Sequence, residues 1–166
     1  MDVSPDIIRV APLDHGVDLR VQRAAADEPN PMNGTKAVHD RIVLDKFYAQ
    51  HPRVFALQLG DRAGTATVLD LGCGQAYGLE RWASQCGEYH GTDLSYPSLM
   101  LARKYVPADA FPNTKFYFDA VHSQQFPEQF ADFLMSSEVI EHLEDPHEHL
   151  RYCFTRIKPG GWLSLS

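Results

Sequence analysis

The stretch over residues 68–78, Val-Leu-Asp-Leu-Gly-Cys-Gly-Gln-Ala-Tyr-Gly, constrains the fold more than any other part of the sequence. Its first residues complete an apolar run, which is typical of a central strand covered on both faces. The glycines that follow let the backbone turn tightly and let a ligand approach it closely. The stretch therefore predicts a buried strand over residues 65–71, a glycine-rich turn, and a helix that begins near Tyr77.

The residues of the turn narrow the class of ligand. A dinucleotide fingerprint G-x-G-x-x-G that began at Gly72 would need Gly or Ala at position 77, where the sequence has Tyr77. The Gly-Lys-Ser/Thr of a P-loop is absent. Asp70 places a carboxylate at the end of the predicted strand, where it favours a cationic group. The pattern thus argues against a nicotinamide dinucleotide and against a P-loop nucleotide site.

Composition and charge exclude several classes of protein. With 166 residues the chain is long enough for one domain with a real core. The net charge of −7 argues against a broad nucleic-acid surface. The three cysteines lack metal-binding spacing and fit a reducing compartment, so we expect a cytoplasmic protein. No apolar run is long enough for a membrane span, and the polar, acidic N-terminus does not resemble a signal peptide.

Turn-forming residues divide the chain into three parts. Residues 1–34 are rich in Pro, Asp and Gly and predict an irregular arm with a short strand over residues 17–21. Apolar residues at helical spacing predict capping helices within residues 35–60. Residues 61–166 are the predicted ligand-binding domain.

Helical and strand patterns alternate through this domain. After the glycine turn we expect helices over residues 78–85 and 97–106, and strands over residues 88–92, 115–118 and 131–135. The last helix has a clear start, with Asp145 as the cap and Pro146 as the first helical residue. Lys-Pro-Gly-Gly at residues 158–161 ends it before a final strand over residues 162–166. Such alternation is typical of βα units around a parallel sheet.

An acidic residue closes the second predicted strand. Asp93 follows Gly72 by about twenty residues, the distance at which a βαβ unit places a carboxylate on ribose hydroxyls. A helix N-cap is the alternative role for this aspartate.

The glycine stretch resembles motif I of the class I S-adenosylmethionine-dependent methyltransferases, hydrophobic-Leu-Asp-hydrophobic-Gly-x-Gly-x-Gly. The match holds from Val68 to Gly74, and Ala76 replaces the third glycine of the motif. The Lys-Pro-Gly-Gly turn before the last strand is also typical of this family. The resemblance implies S-adenosyl-L-methionine as the cofactor and an α/β fold, a three-layer Rossmann-like methyltransferase sandwich whose parallel sheet has the order 3-2-1-4-5.

The resemblance also implies a set of cofactor contacts. The turn at Gly72, Cys73 and Gly74 would lie beneath the methionyl part, with Asp70 near its ammonium group. Asp93 would accept hydrogen bonds from the ribose and Leu94 would lie against the adenine. Asp119 would accept from the adenine amino group and the Ala120 N–H would meet a ring nitrogen, although a solvated Asp119 is the alternative. Ser137 completes the predicted set.

Two carboxylates and an imidazole follow the fourth predicted strand. On a helix, Glu138, Glu141 and His142 would share one face and could hold a divalent metal. Glu-Val-Ile-Glu-His-Leu-x-Asp-Pro resembles ubiquinone-biosynthesis-type O-methyltransferases. Its Glu-x-x-Glu-His core also resembles small-RNA terminal 2′-O-methyltransferases, where it binds a metal. We predict no metal here, with those three residues as the alternative ligands, and His142 and Glu138 as the candidate catalytic residues.

The resemblance therefore predicts methyl transfer from S-adenosylmethionine to an oxygen of a small molecule. The net charge argues against nucleic acid as a partner. The alternatives are a metal-assisted small-RNA 2′-O-methyltransferase and an inactive cofactor-binding fragment. The family's sheet normally continues to strands six and seven, which this sequence lacks. We thus expect a C-terminally truncated chain that still binds cofactor, aggregates readily and does not transfer methyl groups by itself.

Overall fold

This computed structural model describes residues 6–9 and 57–166. The predicted strand over residues 17–21 lies outside the described residues, as do the predicted capping helices up to residue 56. Residues 57–59 are helical and lead into a 3-10 turn, Gly60–Thr65. In the part of the chain that is described, none of the helices combines the length and the apolar character needed to cross a bilayer.

The core of the molecule is a six-stranded sheet in which every neighbouring pair is parallel. Its spatial order is β1-β4-β3-β2-β5-β6. The strands are β1 (Ile7–Arg9), β2 (Thr67–Leu71), β3 (Glu88–Asp93), β4 (Thr114–Phe118), β5 (Ala131–Ser136) and β6 (Ile157–Leu165).

The five predicted strands lie in the predicted order, and the Rossmann-like α/β class is confirmed. The predicted sheet order was nevertheless incomplete, because β1 is an additional strand that pairs with β4. This strand lies within the arm expected to be irregular. A three-residue strand flanked by turn-forming residues carries too little periodicity to be detected in a sequence.

Burial explains why β2 is central. Val68, Leu69 and Leu71 are fully buried, and they belong to two different core clusters on opposite faces of the sheet. Val68 packs in a cluster that contains Trp82 and Leu99. Leu69 and Leu71 pack with Leu134 and Tyr152. The apolar run of β2 is therefore needed because both faces of this strand are covered.

Two α-helices begin at side-chain caps. Helix α1 (Tyr96–Tyr105) is capped by Ser95, whose Oγ accepts from the Ser98 N–H at 3.3 Å. Helix α2 (Pro146–Arg156) is capped by Asp145, whose Oδ1 accepts from the Glu148 N–H at 2.9 Å. The predicted cap of the last helix is thus confirmed. The N-cap role considered for Asp93 belongs to Ser95 instead.

The predicted helix over residues 78–85 was wrong. Two short 3-10 turns, Leu79–Arg81 and Ala83–Gln85, take its place. They are separated by Trp82, whose φ of −136° is incompatible with a continuous helix. Trp82 is 4% exposed, so its burial in the core takes precedence over helical propensity.

The C-terminal elements also differ in detail from the prediction. Strand β6 begins at Ile157 and includes the Lys-Pro-Gly-Gly residues, with a register shift between Ala131 and Phe133 of β5. On α2 the buried residues are His149, Tyr152, Cys153 and Arg156. Phe154, whose apolar side chain at helical spacing with Leu150 and Ile157 would predict burial, is 67% exposed. The buried face of this helix is therefore more polar than the apolar pattern indicates.

Candidate functional site

A cleft opens where β2, β3 and β5 end and their loops begin. In a doubly wound sheet, ligands bind at this place, outside the carboxyl ends of the strands where the strand order reverses. Its lining residues come from these three strands and from the segments after β2 and β5: Asp70, Gly72, Cys73, Ala76, Tyr77, Leu79, Trp82, Tyr89, Met135 and Ser137.

The turn after β2 depends on glycine at two positions with different surroundings. Gly72 has a φ of +73°, and a Cβ there would lie 2.4 Å from Cγ2 of Val139. Gly74 has a φ of +53°, and a Cβ there would meet no atom within 4 Å. Gly72 therefore allows close packing of the segment after β5, whereas no neighbouring atom restricts the space beside Gly74. Ala76 also has a positive φ, of 50°, at the position of the third motif glycine.

Backbone hydrogen bonds place three loops side by side. The Cys73 N–H donates to the Thr92 carbonyl at 2.9 Å, which joins the turn after β2 to the end of β3. The Asp119 N–H donates to the Asp93 carbonyl at 3.2 Å, which joins the end of β3 to the loop after β4. The predicted site residues Cys73, Asp93 and Asp119 are thus brought together.

Asp93 connects the glycine turn to the start of α1. Its Oδ2 accepts from the Gly74 N–H and its Oδ1 accepts from the Ser95 N–H, each at 2.7 Å. Burial raises the pKa of Asp93, and the two N–H donors act in the opposite direction. Each oxygen of a carboxylate can accept more than one hydrogen bond, so capacity remains for ligand hydroxyls. Leu94 follows directly and is half-buried.

Asp119 has one satisfied and one unsatisfied oxygen. Its Oδ1 accepts from the Ala120 N–H at 2.7 Å. Its Oδ2 is buried and has no hydrogen-bond partner among the described residues. A buried acceptor without a donor is costly, so this oxygen suits a ligand that carries an N–H group. The Ala120 N–H, expected to reach a ring nitrogen of that ligand, is engaged by Asp119 itself.

Asp70 is held by a residue that the sequence analysis missed. The Tyr89 hydroxyl donates to Asp70 Oδ2 at 2.7 Å. The pKa of Asp70 is raised to about 6, because burial and the charge of Asp93 raise it by more than the Tyr89 hydrogen bond lowers it. A tyrosine inside a buried strand needs a hydrogen-bond partner for its hydroxyl, so the position of Tyr89 in a predicted strand indicates that such a partner exists. The spacing along the chain does not tell which partner it finds.

The segment after β5 does not form the expected helix. Glu138 has a φ of +55°, and only Ile140–His142 form a 3-10 turn. Glu138, Glu141 and His142 therefore do not share one helical face, and they are absent from the lining of the cleft. The His142 side chain is 75% exposed, and its Nε2 lies 3.8 Å from Glu141 Oε1. Catalytic roles for Glu138 and His142 stay predictions.

Ser137 lies in the cleft, and its Oγ is buried without a hydrogen-bond partner among the described residues. Asp119 Oδ2 and Thr92 Oγ1, at the ends of the neighbouring loop and strand, are likewise buried without a hydrogen-bond partner among the described residues. Within residues 6–9 and 57–166, no group of three or more His, Cys, Asp or Glu side chains is arranged to hold a metal ion.

His149 of α2 is fully buried, although a histidine on a helix that follows a polar cap is more usually on the surface. Its Nε2 lies 2.9 Å from Ser136 Oγ, and its Nδ1 lies 3.0 Å from His122 Nε2. Burial lowers the pKa of His149 to about 4. A neutral His149 therefore joins α2 to the end of β5 and to the loop after β4.

A family model described as Methyltransferase domain matches residues 69–165, which include the glycine turn and all of the strands from β3 to β6. The chain belongs to this methyltransferase family. The ubiquinone biosynthesis O-methyltransferase of Albidiferax ferrireducens is 33% identical over 102 residues, which are 60% of this chain and 40% of that relative. This methyltransferase chain thus spans two fifths of the length of that curated relative.

Solved structures resemble the methyltransferase fold of this chain. A SAM-dependent methyltransferase from Aquifex aeolicus superposes with a TM-score of 0.60 at 20% identity, over 76% of this chain and 70% of the other. Phosphoethanolamine N-methyltransferase 2 of Haemonchus contortus, in complex with S-adenosyl-L-methionine, gives a TM-score of 0.58 at 24% identity, over 70% and 27% of the two chains. These likenesses confirm the Rossmann-like α/β fold class.

Proposed function

We propose that this methyltransferase domain binds S-adenosylmethionine in the cleft and serves methyl transfer to an oxygen of a small molecule. The observation that carries the proposal is the buried, unpaired Asp119 Oδ2 in a loop hydrogen-bonded to Asp93, in a chain of the methyltransferase family. An adenine amino group is the donor that this oxygen lacks.

The described residues fit the other parts of the cofactor. Asp93 is fixed by two backbone donors and accepts ribose hydroxyls with its remaining lone pairs. Leu94 offers an apolar surface to the adenine. The space beside Gly74 leaves room for the methionyl part. Asp70, which lines the cleft, offers a carboxylate to its ammonium group.

S-Adenosylmethionine supplies a methyl group activated by a sulfonium. The residues of this chain hold the acceptor and the cofactor in place, because the acceptor oxygen must lie in line with the sulfur–methyl bond that breaks. The unpaired Ser137 Oγ is a hydrogen-bond donor in the cleft and helps to orient the bound molecules. A hydroxyl acceptor also needs a base to take its proton, and we assign this role to His142 or Glu138, which follow the cleft-lining Ser137 in the chain.

Two observations favour a small molecule with a hydroxyl group as the acceptor. The 33% identical relative is named as an O-methyltransferase of ubiquinone biosynthesis. The net charge of −7 disfavours a long nucleic acid as substrate. The metal-assisted small-RNA methyltransferase needs Glu138, Glu141 and His142 to converge, and in the described segment after β5 they do not.

We also propose a cytoplasmic location. The chain has three cysteines, and Cys73, Cys86 and Cys153 are all free thiols. Unpaired cysteines fit a reducing compartment.

The test has two stages. Calorimetry with S-adenosylhomocysteine and with NAD measures cofactor choice, and we expect binding of the first only. Radioactive methyl transfer from S-adenosylmethionine is then measured with a panel of phenols and catechols, with primary amines and with a short RNA. Labelling of the phenolic acceptors supports the proposal, and labelling of amines or RNA alone contradicts the acceptor class. Cofactor binding without transfer to any acceptor favours the inactive cofactor-binding alternative.

A further inference from the structure

We propose that Tyr89 is a positioning residue that keeps Asp70 ionised and oriented for the cofactor's ammonium group, so that cofactor affinity is linked to one proton on Asp70. The inference rests on the proposed function, because it assumes that the cationic amino acid part of the cofactor enters this cleft.

The geometry holds the Tyr89 ring in one place. Tyr89 is fully buried on β3, and its ring has edge contacts with Trp82 at 5.7 Å and with Phe116 at 5.9 Å between centroids. Gly91 lies opposite Asp70 in the register of β2 and β3. A Cβ at Gly91 would lie 3.0 Å from Cε1 of Tyr89, so glycine leaves the space that the ring occupies. The hydroxyl is thus aimed at Asp70 Oδ2 by packing on several sides.

No cation neutralises Asp70 within the described cleft. The titratable groups that face it are Tyr89 of β3, Asp93 at the end of β3 and Cys73 of the turn. Strand β5 and the residue after it contribute Met135 and Ser137, which carry no charge. Tyr89 is therefore the group that opposes the cost of burying the carboxylate. Burial beside Asp70 also raises the pKa of Tyr89 well above its ordinary value, so its hydroxyl remains a donor over the whole working pH range.

This arrangement couples the ligand to a proton. The pKa of Asp70 is raised to about 6, so the free protein carries a proton on this carboxyl below that pH. An ammonium group favours the ionised carboxylate, and the proton must leave when the ligand binds. Affinity for a ligand with the ammonium group is therefore greatest well above pH 6, where Asp70 is ionised, and it decreases as the pH falls through 6.

The experiment compares two probes by calorimetry between pH 5 and pH 8.5. S-Adenosylhomocysteine carries the ammonium group, and 5′-methylthioadenosine lacks the entire amino acid part. For the wild type, affinity for the first should fall below pH 6, and affinity for the second should not follow this titration. In Tyr89→Phe the pH at which the affinity for S-adenosylhomocysteine declines should be higher by about one pH unit. Binding of this probe at pH 6 should then be about fivefold weaker than in the wild type. Methylthioadenosine affinity should stay unchanged.

Tyr117→Phe is the matched control. This tyrosine is also buried, on the neighbouring strand β4, but its hydroxyl is bonded to His90 Nδ1 at 2.9 Å and not to Asp70. It should retain the wild-type pH profile. Carbon-13 NMR titration of the aspartate carboxyls in the free protein gives a second readout, in which Tyr89→Phe should raise the pKa of Asp70.

The outcomes separate this inference from the proposed function. A wild-type pH profile in Tyr89→Phe overturns it, as does an equal loss of affinity for both probes, which would indicate a purely structural role. An unchanged Asp70 titration in Tyr89→Phe overturns it as well. If the wild type binds neither probe, the proposed cofactor itself is wrong and this inference falls with it.

Discussion

At the scale of single residues, Asp93 at the end of β3 and Asp70 in the cleft are held in different ways. Asp93 receives two backbone N–H donors and thereby builds the turn that surrounds it. Asp70 is partly buried and receives one side-chain donor, and removal of its carboxylate from water is unfavourable. The first therefore contributes to local structure, whereas the second reduces the stability of the ligand-free protein at neutral pH.

Replacing Asp70 with asparagine should stabilise the protein at neutral pH and weaken its affinity for S-adenosylhomocysteine. The pKa of Asp70 rises from 3.8 to about 6 on folding, so its contribution to stability is most favourable below pH 3.8 and is lost as the pH rises through 6. A difference of about two pKa units corresponds to at most about 3 kcal/mol at pH 7. Urea unfolding at pH 7.5 and pH 5 measures this. A gain in stability that is equal at the two pH values would show that the titration of Asp70 is not its cause.

Replacing Asp93 with alanine should weaken cofactor binding. The loss of a charge-assisted acceptor for the ribose hydroxyls is worth roughly 1.5–3 kcal/mol. This corresponds to about ten- to a hundredfold in the dissociation constant for S-adenosylhomocysteine. Asp109→Ala, at an exposed aspartate, is the control and should bind as the wild type does. A folded Asp93→Ala variant with unchanged affinity would remove Asp93 from the site.

Sequence reasoning proposed three acids for the site but not the residues that hold them. Asp70 and Asp93 could be proposed from their positions at the ends of predicted strands, whereas Asp119 was proposed from the family resemblance. Tyr89 and His149 could not be proposed, since their partners are set by strand register and helix packing rather than by distance along the chain.

At the scale of elements, the turn after β2 is shaped by the segment that follows β5. Val139 packs against Gly72, so the two segments are fitted to each other across the cleft. The sequence predicted the turn because glycine is required where φ is positive. It predicted helices on both sides of the cleft, at residues 78–85 and after β5, where the structure has only 3-10 turns. Helical spacing of apolar residues does not reveal that Trp82 leaves the helical backbone conformation and is buried in the core.

Alanine at Gly72 should destabilise the protein more than alanine at Gly74. Both positions have a positive φ, which costs a residue with a Cβ about 1–2 kcal/mol. Only at Gly72 does the new Cβ collide with Val139, which adds about 1–3 kcal/mol of overpacking. Chemical denaturation of Gly72→Ala, Gly74→Ala, Val139→Ala and the Gly72→Ala/Val139→Ala pair tests this. The pair should be more stable than additivity predicts, and strict additivity would argue against the contact.

At the scale of the whole molecule, the two faces of the sheet are covered but one edge is apolar and exposed. Strand β6 is the last strand of the described sheet, and Trp162 and Leu165 on it are 42% and 39% exposed. Phe154 of α2 is more exposed still. Long exposed edges with large apolar side chains promote pairing between molecules.

The 166-residue chain should therefore self-associate through β6. We expect sedimentation velocity to show concentration-dependent association, and the Trp162→Lys/Leu165→Lys pair should abolish it because lysine on an edge strand opposes pairing. Met100→Lys is the control, since Met100 is 43% exposed on α1 and lies away from β6. A wild-type chain that remains monomeric at all concentrations, or a double lysine variant that associates as before, would contradict this prediction.

The backbone bonds that join the loops after β2, β3 and β4 have a consequence for how such a protein can evolve. The Cys73–Thr92 and Asp119–Asp93 bonds use main-chain atoms only, so any sequence that adopts this fold inherits them. Substitutions in these loops can then change which molecule is bound while the loops themselves stay in place. Ligand preference can therefore change by single substitutions, and no intermediate sequence needs to lose the arrangement of loops that forms the cleft.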